Sequence, residues 1–325
     1  MGKFLFELQP DCTVYAKGRI KDKVKDRLNL SLADSLIEVK KKSADDPFAH
    51  KTSDSMEEDN SFVTSEGRAL HTLGQLTVYA TALLGSQYRT HAFMTFITGT
   101  YARLIRWDRS GAVVTEPIYF NTQPHLFDFF TRYNIAGHEA RGNDATVTVP
   151  TDEEITLAKS IVPELKDLVS FLAIATPDST NHSDRRFIVR HPEPSPDIPV
   201  GHWTRALFAL DVKNKDRVFL KDSWHVSVKD VQPEGEIYRL LCTEQVLNVP
   251  ICLLAVNVSD DFVHQSRTDE VKNKHFRDHI CWKLTPHQHY HIVLGTIGRE
   301  LKDFHCTKEF VNAMSAALRG EIPFS

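Results

Sequence analysis

Apolar and polar residues alternate in short runs at the start of the chain, in KFLFEL, in CTVYA and, after a basic stretch from Lys17 to Arg27, in SLIEV. That period predicts a strand-rich opening. From Gly67 to Gln87 the spacing changes: Leu70, Leu73, Leu76, Ala80, Leu83 and Leu84 recur at helical intervals, which predicts a helix laid on a sheet, although Gly74 and Thr77 lower its propensity. HAFMTFITG and YARLIRWD restore the alternation, DRSGAVVTEPIYF adds a hairpin turning at Ser110 and Gly111, and PHLFDFFTRY predicts a short helix. Thr151 and Glu154 have the spacing of a capping box. The apolar series Ile155, Ala158, Ile161, Val162, Leu165, Leu168, Val169 and Leu172 then predicts one helix running to Ala175. Pro177 to Gly201 holds five prolines around the strand-like RFIVR and reads as a boundary. Beyond it ALFALDV, RVFLKDSW, EGEIYRLL, ICLLAVNV, HYHIVLGTIG and TKEFVNAMSAAL predict the order strand, strand, helix, strand, strand, helix.

Composition adds boundaries to this pattern. With 325 residues, 41% hydrophobic and 25% charged, the chain has room for two ordinary domains, and collagen, coiled coil and full disorder are excluded. Ser43 to Glu66 carries seven acidic residues and one lysine with few aliphatics, so it is expected to be a mobile loop. The net charge of -4 supplies no global field toward nucleic acid, so any such contact must be local. Five scattered cysteines without a CxxC pair suggest neither a disulfide framework nor a cysteine-rich zinc site. No apolar run has the length of a membrane span and MGKFLFELQPD lacks a signal-peptide core, which points to an intracellular chain, cytoplasmic or nuclear, with no membrane partner.

Two charged residues carry the first candidate chemistry. Lys221 ends the apolar run RVFLK, and Glu236 lies on the helix that follows. In a protein kinase a strand lysine is held by a helix glutamate so that its charge meets the α- and β-phosphates of ATP. On those residues alone, an edge-strand lysine and a solvated glutamate explain the pair more simply. The surrounding text goes further. VFLKDSW, EGEIYRLL, HYHIVLGTIGRELKDF, TKEFVNAM and the upstream YARLIRWDRSGAVVTEP resemble the fungal-type protein kinase family, from about Pro10 onward.

The resemblance implies ATP-dependent phosphorylation of an unknown protein substrate or partner. It implies Lys221 and Glu236 as the catalytic ion pair, Leu294, Gly295, Thr296 and Ile297 as the hinge that meets adenine, and Gly201 as the nearest residue to a phosphate-covering loop. Departures accompany it: no GxGxxG precedes Lys221, and neither an HRD-type catalytic loop nor a DFG-type aspartate occurs in the sequence. The chain is therefore expected to stop before the catalytic loop, to lack the C-lobe, and to bind ATP weakly or not at all. A non-catalytic interaction or inhibitory module is the alternative.

The first half has its own motif set. Asp11 follows Pro10 at a strand start, Glu38, Val39 and Lys40 close another strand, and Gln75 and Tyr79 stand one helical turn apart. Two carboxylates at neighbouring strand ends can hold Mg²⁺ while a lysine polarises water for phosphodiester attack. The order resembles the PD-(D/E)XK nuclease-like fold and makes a Mg²⁺-dependent nuclease the third reading, with Asp11 and Glu38 as metal ligands beside Lys40 and Gln75.

Two further clusters are weighed. His287, His289 and His291 alternate and suit Zn²⁺ or Ni²⁺, but no carboxylate or cysteine completes the set nearby in sequence, so they are expected on an edge strand. Trp107 with Arg103, Arg106 and Arg109 forms a basic aromatic hairpin whose charges are expected to be solvated or paired with Asp108 and Glu116. The fold expected is α+β: a nuclease-like αβ module over residues 1–150, a connecting helix over 151–180, and an incomplete kinase-like N-lobe of antiparallel sheet plus helix over 181–325.

Overall fold

The computed structural model describes residues 8–16, 28–48, 62–64, 67–178, 184–192, 199–259, 262–271, 284–298 and 301–319. The expected strand KFLFEL apart from Leu8, the basic stretch from Lys17 to Arg27 and most of the acidic loop within Ser43–Glu66 lie outside these residues. The structure is mixed α+β and forms two compact units, each assembled from separated stretches. One comprises Met1–Ala145, Pro192–Trp203 and Asp261–His287; the other comprises Thr146–His191, Thr204–Asp260 and Gln288–Ser325.

The first unit is built on a five-stranded sheet of β1 (Cys12–Tyr15), β2 (Ala33–Val39), β3 (Ala92–Ile97), β4 (Ala102–Asp108) and β5 (Gly111–Val114) in sequential order. β1 runs antiparallel to β2, while β2 and β3 are parallel because helix α1 (Gly67–Ser86) intervenes as a crossover. From Leu76 on, the helical period read from the sequence is the packing face, with Ala80, Leu83 and Leu84 buried against Leu36, Met94, Phe96 and Ile105 of the sheet, while Leu70 of the same series is exposed. α2 (His125–Ile135) completes the unit. Its Phe129 and Tyr133 meet Phe93 edge-on, and the Tyr133 hydroxyl donates to Asp34 O.

The second unit carries a seven-stranded sheet. In chain order its elements are β6 (Val147–Thr148), α3 (Asp152–Ile161), β7 (Phe171–Thr176), β8 (Arg185–Arg190), β9 (Thr204–Asp211), β10 (Asp216–Val226), α4 (Glu234–Thr243), β11 (Cys252–Asn257), β12 (His287–Leu294) and α5 (Thr307–Arg319). Across the sheet the order is β11-β12-β10-β9-β8-β7-β6. Pleating separates two faces of β10 and β12: Phe219, Tyr290, Ile292 and Leu294 pack with Tyr238 of α4, Cys252 and Ala255.

The long connecting helix is corrected by the structure. The capping box of Thr151 and Glu154 forms as read, but the helix ends at Ile161 and a short 3₁₀ turn begins at Pro163, which lacks the N–H that would continue the ladder. Leu172 then lies in strand β7, and Val169, assigned to the apolar face, is 97% exposed. β7 pairs with β8 and β6 with β7, so Phe171–Thr176 adds a strand to the sheet instead of continuing the helix.

One glycine fixes how α4 meets the sheet. A Cβ on Gly235 would overlap Ala255 Cβ and Tyr290 Oη. The overlap outweighs the gain of about 1 kcal/mol in helix propensity that alanine brings. Gly235→Ala is therefore expected to lower stability by ~1–3 kcal/mol, read as a lower urea midpoint with an unchanged slope.

Candidate functional site

In the first unit, the register Cys12↔Ile37 continues so that Asp11 comes alongside Glu38. The Val39 N–H donates to Asp11 Oδ2 at 2.7 Å, which fixes the carboxylate at the strand end. Glu38 shares the inward face of β2 with Leu36 and is buried, and Lys40 Nζ forms an ion pair with its Oε1. From α1, Tyr79 donates its hydroxyl to Gln9 O at 2.9 Å, and Gln75 lies beside it. The sequence-read residues Asp11, Glu38, Lys40, Gln75 and Tyr79 are thus brought to one end of the β1–β2 pair.

This corner concentrates negative charge that Lys40 offsets only in part. Burial raises the Glu38 pKa above its ordinary value, Lys40 opposes, and Asp11 adds to the rise. Burial, then the charges of Glu38 and Asp11, push the Tyr79 phenol up to about 12. Glu38 Oε2 and Gln75 Oε1 are buried with no hydrogen-bond partner among the described residues. An unsatisfied buried carboxylate oxygen beside a second carboxylate fits a hard cation such as Mg²⁺.

In the second unit, Lys221 on β10 reaches α4. Its Nζ donates to Glu234 Oε1 and Oε2 at 2.5 and 2.6 Å. The ion pair exists, but its partner is Glu234 rather than the expected Glu236. Residues two apart on a helix point about 200° away from each other, so only one glutamate of EGE can face the strand. Glu236 turns outward and pairs with Arg239, one helical turn on, where both are at least half exposed. Both glutamates stand in the sequence, and the helix start that distinguishes them does not.

The other expected kinase residues are less concentrated. Leu294 ends β12. The Gly295 N–H donates to Ile251 O at 2.9 Å, and the Ile251 N–H donates to Thr296 Oγ1 at 3.0 Å, so the segment after β12 is tied to the start of β11. Gly201 belongs to the first unit. At φ 99° its N–H is spent on Arg109 O at 2.8 Å.

Adjacent to Lys221, on the opposite face of β10, is Asp222. His289 Nε2 lies 2.5 Å from its Oδ1, and His291 Nε2 lies 3.7 Å from the same oxygen. Burial alone would raise the Asp222 pKa, but His289, His291 and Arg205 together hold it well below the carboxylate range. β12 lies between β11 and β10, so the histidines are central, not on an edge strand as expected. The carboxylate that completes the cluster is 67 residues away in sequence from His289, which is why local spacing missed it.

In the basic hairpin the expected pairing with Asp108 holds for Arg106, while Arg103 and Arg109 are buried instead of solvated. Arg103 is buried and pairs with Asp46 at 2.7 Å; Arg109 is buried with its guanidinium 3.9 Å from the Trp203 ring centre. Arg106 pairs with Asp108 at 2.6 Å. These charges knit the first unit together and offer no solvated stripe to a nucleic-acid backbone. Among the described residues no helix is long and apolar enough to cross a membrane.

The family model described as Fungal protein kinase matches residues 34–321. No curated protein and no solved structure matches the chain.

The raised pKa of Glu38 gives a signed prediction. The folded chain holds that proton more tightly than the unfolded chain, so stability falls as pH rises through the folded-state value. Glu38→Gln removes this loss. Urea titrations are expected to find the variant more stable than the parent near pH ~7, with the difference vanishing near pH ~3, where both are neutral at this position.

Proposed function

The chain belongs to the fungal protein kinase family, and from that premise we propose that its second unit is a nucleotide-binding kinase-like lobe which, in these 325 residues, does not itself transfer phosphate. One observation carries the reading: Lys221 held by both carboxylate oxygens of Glu234 across β10 and α4. Protein kinases use ATP and Mg²⁺, and their strand lysine is kept in place by such a pair. An ammonium at this position neutralises α- and β-phosphate oxygens, and the glutamate keeps it extended when no phosphate is present. Backbone groups of the segment Leu294 to Ile297, at and after the end of β12, are the ones that meet adenine.

The chemistry beyond binding needs two more parts. A catalytic-loop aspartate takes the substrate hydroxyl proton, and a DFG-type aspartate with an asparagine holds the magnesium ions. Neither motif occurs in the sequence. ATP binding without turnover follows, which also serves a non-catalytic interaction or inhibitory role.

The expected outcome is measurable with a fluorescent ATP analogue. Lys221→Met and Glu234→Gln should each weaken binding by about tenfold or more, equivalent to ~1.4 kcal/mol, while Glu236→Gln leaves it unchanged. Equal losses at Glu234 and Glu236 would remove the assignment. Radiometric assays on the parent chain should show no metal-dependent phosphorylation, and turnover abolished by Lys221→Met would overturn the inactive reading.

The unsatisfied Glu38 Oε2 supports a second reading for the first unit. Asp11 and Glu38 would hold Mg²⁺ there with Lys40 beside them, and the ion would supply charge stabilisation for phosphodiester hydrolysis. Plasmid nicking with Mg²⁺ or Mn²⁺ should then fall to background in Glu38→Ala; equal rates in parent and variant would eliminate this reading.

A further inference from the structure

The same strand that offers Lys221 to α4 offers Asp222 to the opposite face, where the alternation of β12 delivers two imidazoles and no intervening apolar side chain. We propose that Asp222, His289 and His291 bind a divalent transition-metal ion, Zn²⁺ by donor class, which clamps β12 to β10 behind the lysine. The inference does not depend on the nucleotide reading, because its residues and face of the sheet are separate.

The geometry is that of a ligand set. One carboxylate oxygen and one ring nitrogen from each histidine all lie within 4.8 Å of one another. Ligand atoms around tetrahedral Zn²⁺, each at about 2.0–2.1 Å from the ion, stand roughly 3.4 Å apart. The 2.5 Å and 3.7 Å separations of His289 and His291 from Asp222 Oδ1 bracket that value, so small rotamer shifts admit the ion. All three residues are buried, and the donor set of two imidazoles and a carboxylate suits zinc and its neighbours rather than Mg²⁺ or Ca²⁺.

The surroundings fix those ligands as metal sites require. His291 Nδ1 and Thr176 Oγ1 are 2.9 Å apart, a bond that leaves Nε2 directed at Asp222. The Trp224 ring stacks on His289 with planes 4° apart and centres at 4.8 Å, holding the imidazole orientation. Arg205 lies 3.6 Å from the second oxygen, Oδ2, which keeps Oδ1 turned to the histidines.

Titration of the full chain with Co²⁺ tests this directly. A single equivalent should produce the visible d–d bands of a low-symmetry, four-coordinate N/O site, and Zn²⁺ should abolish them. Asp222→Asn and His291→Gln, checked for folding by circular dichroism, should each weaken binding by at least about tenfold. X-ray absorption of the Zn²⁺-loaded parent should show two imidazoles and no sulfur, a readout that requires no variant. Absence of the bands, sulfur ligation, or undiminished binding in a folded His291→Gln chain would overturn the assignment.

Discussion

A single strand organises the chemistry of the second unit. β10 is paired with β9 from Asp216↔Asp211 to Ser223↔Thr204, and that long register leaves its side chains no choice of face. Phe219 and Lys221 are presented toward α4, while Leu220, Asp222 and Trp224 are buried on the other side. A slip of one residue would exchange a cation meant for a carboxylate with a carboxylate meant for imidazoles. Both clusters therefore depend on a backbone ladder rather than on their own attraction. This is consistent with the modest worth of a partly exposed ion pair such as Lys221 with Glu234.

The first unit makes the opposite use of its sheet. Its α1 face is packed with leucine, alanine and aromatic side chains, and into one end of it the chain inserts Glu38, close to Asp11. An apolar residue at Glu38 would serve folding better, since burial penalises the charge and Lys40 relieves only part of the cost. Elsewhere in the same unit charge is buried with compensation. Arg103 is satisfied by Asp46, Thr115 O and Phe48 O, and Asp108 accepts from the backbone N–H groups of Ser110, Arg267 and Thr268. The contrast separates charges that build the unit from those that strain it.

Element identity was largely readable where the apolar period was clean. The spacing of Leu76, Ala80 and Leu83 fixed α1 almost to the residue, and the alternation in HAFMTF and RVFLK located β3 and β10. The reading failed from Pro163 to Ala175, where leucines and valines at helical spacing belong to a turn and then a strand. An apolar run of that kind suits either period, and the available hydrogen-bond partner, β8, decides it. Arg103 and Arg109 of the hairpin are buried where solvation was expected for a related reason: sequence shows a charge, not the distant groups that accompany it indoors.

The sequence by itself determined the type of most elements and the family likeness, and it marked Asp11, Glu38, Lys40, Gln75 and Tyr79 as chemistry-bearing residues, because period and motif are local; their meeting is the work of the β1–β2 pairing and the α1 crossover. Tertiary structure decided which glutamate meets Lys221, since that depends on where α4 begins and how closely Gly235 lets it approach β12. It also decided that Asp222 joins two histidines far along the chain, which only a shared sheet brings together. Side-chain chemistry is written residue by residue, but a site requires convergence, and convergence over long separations is set by strand order and register.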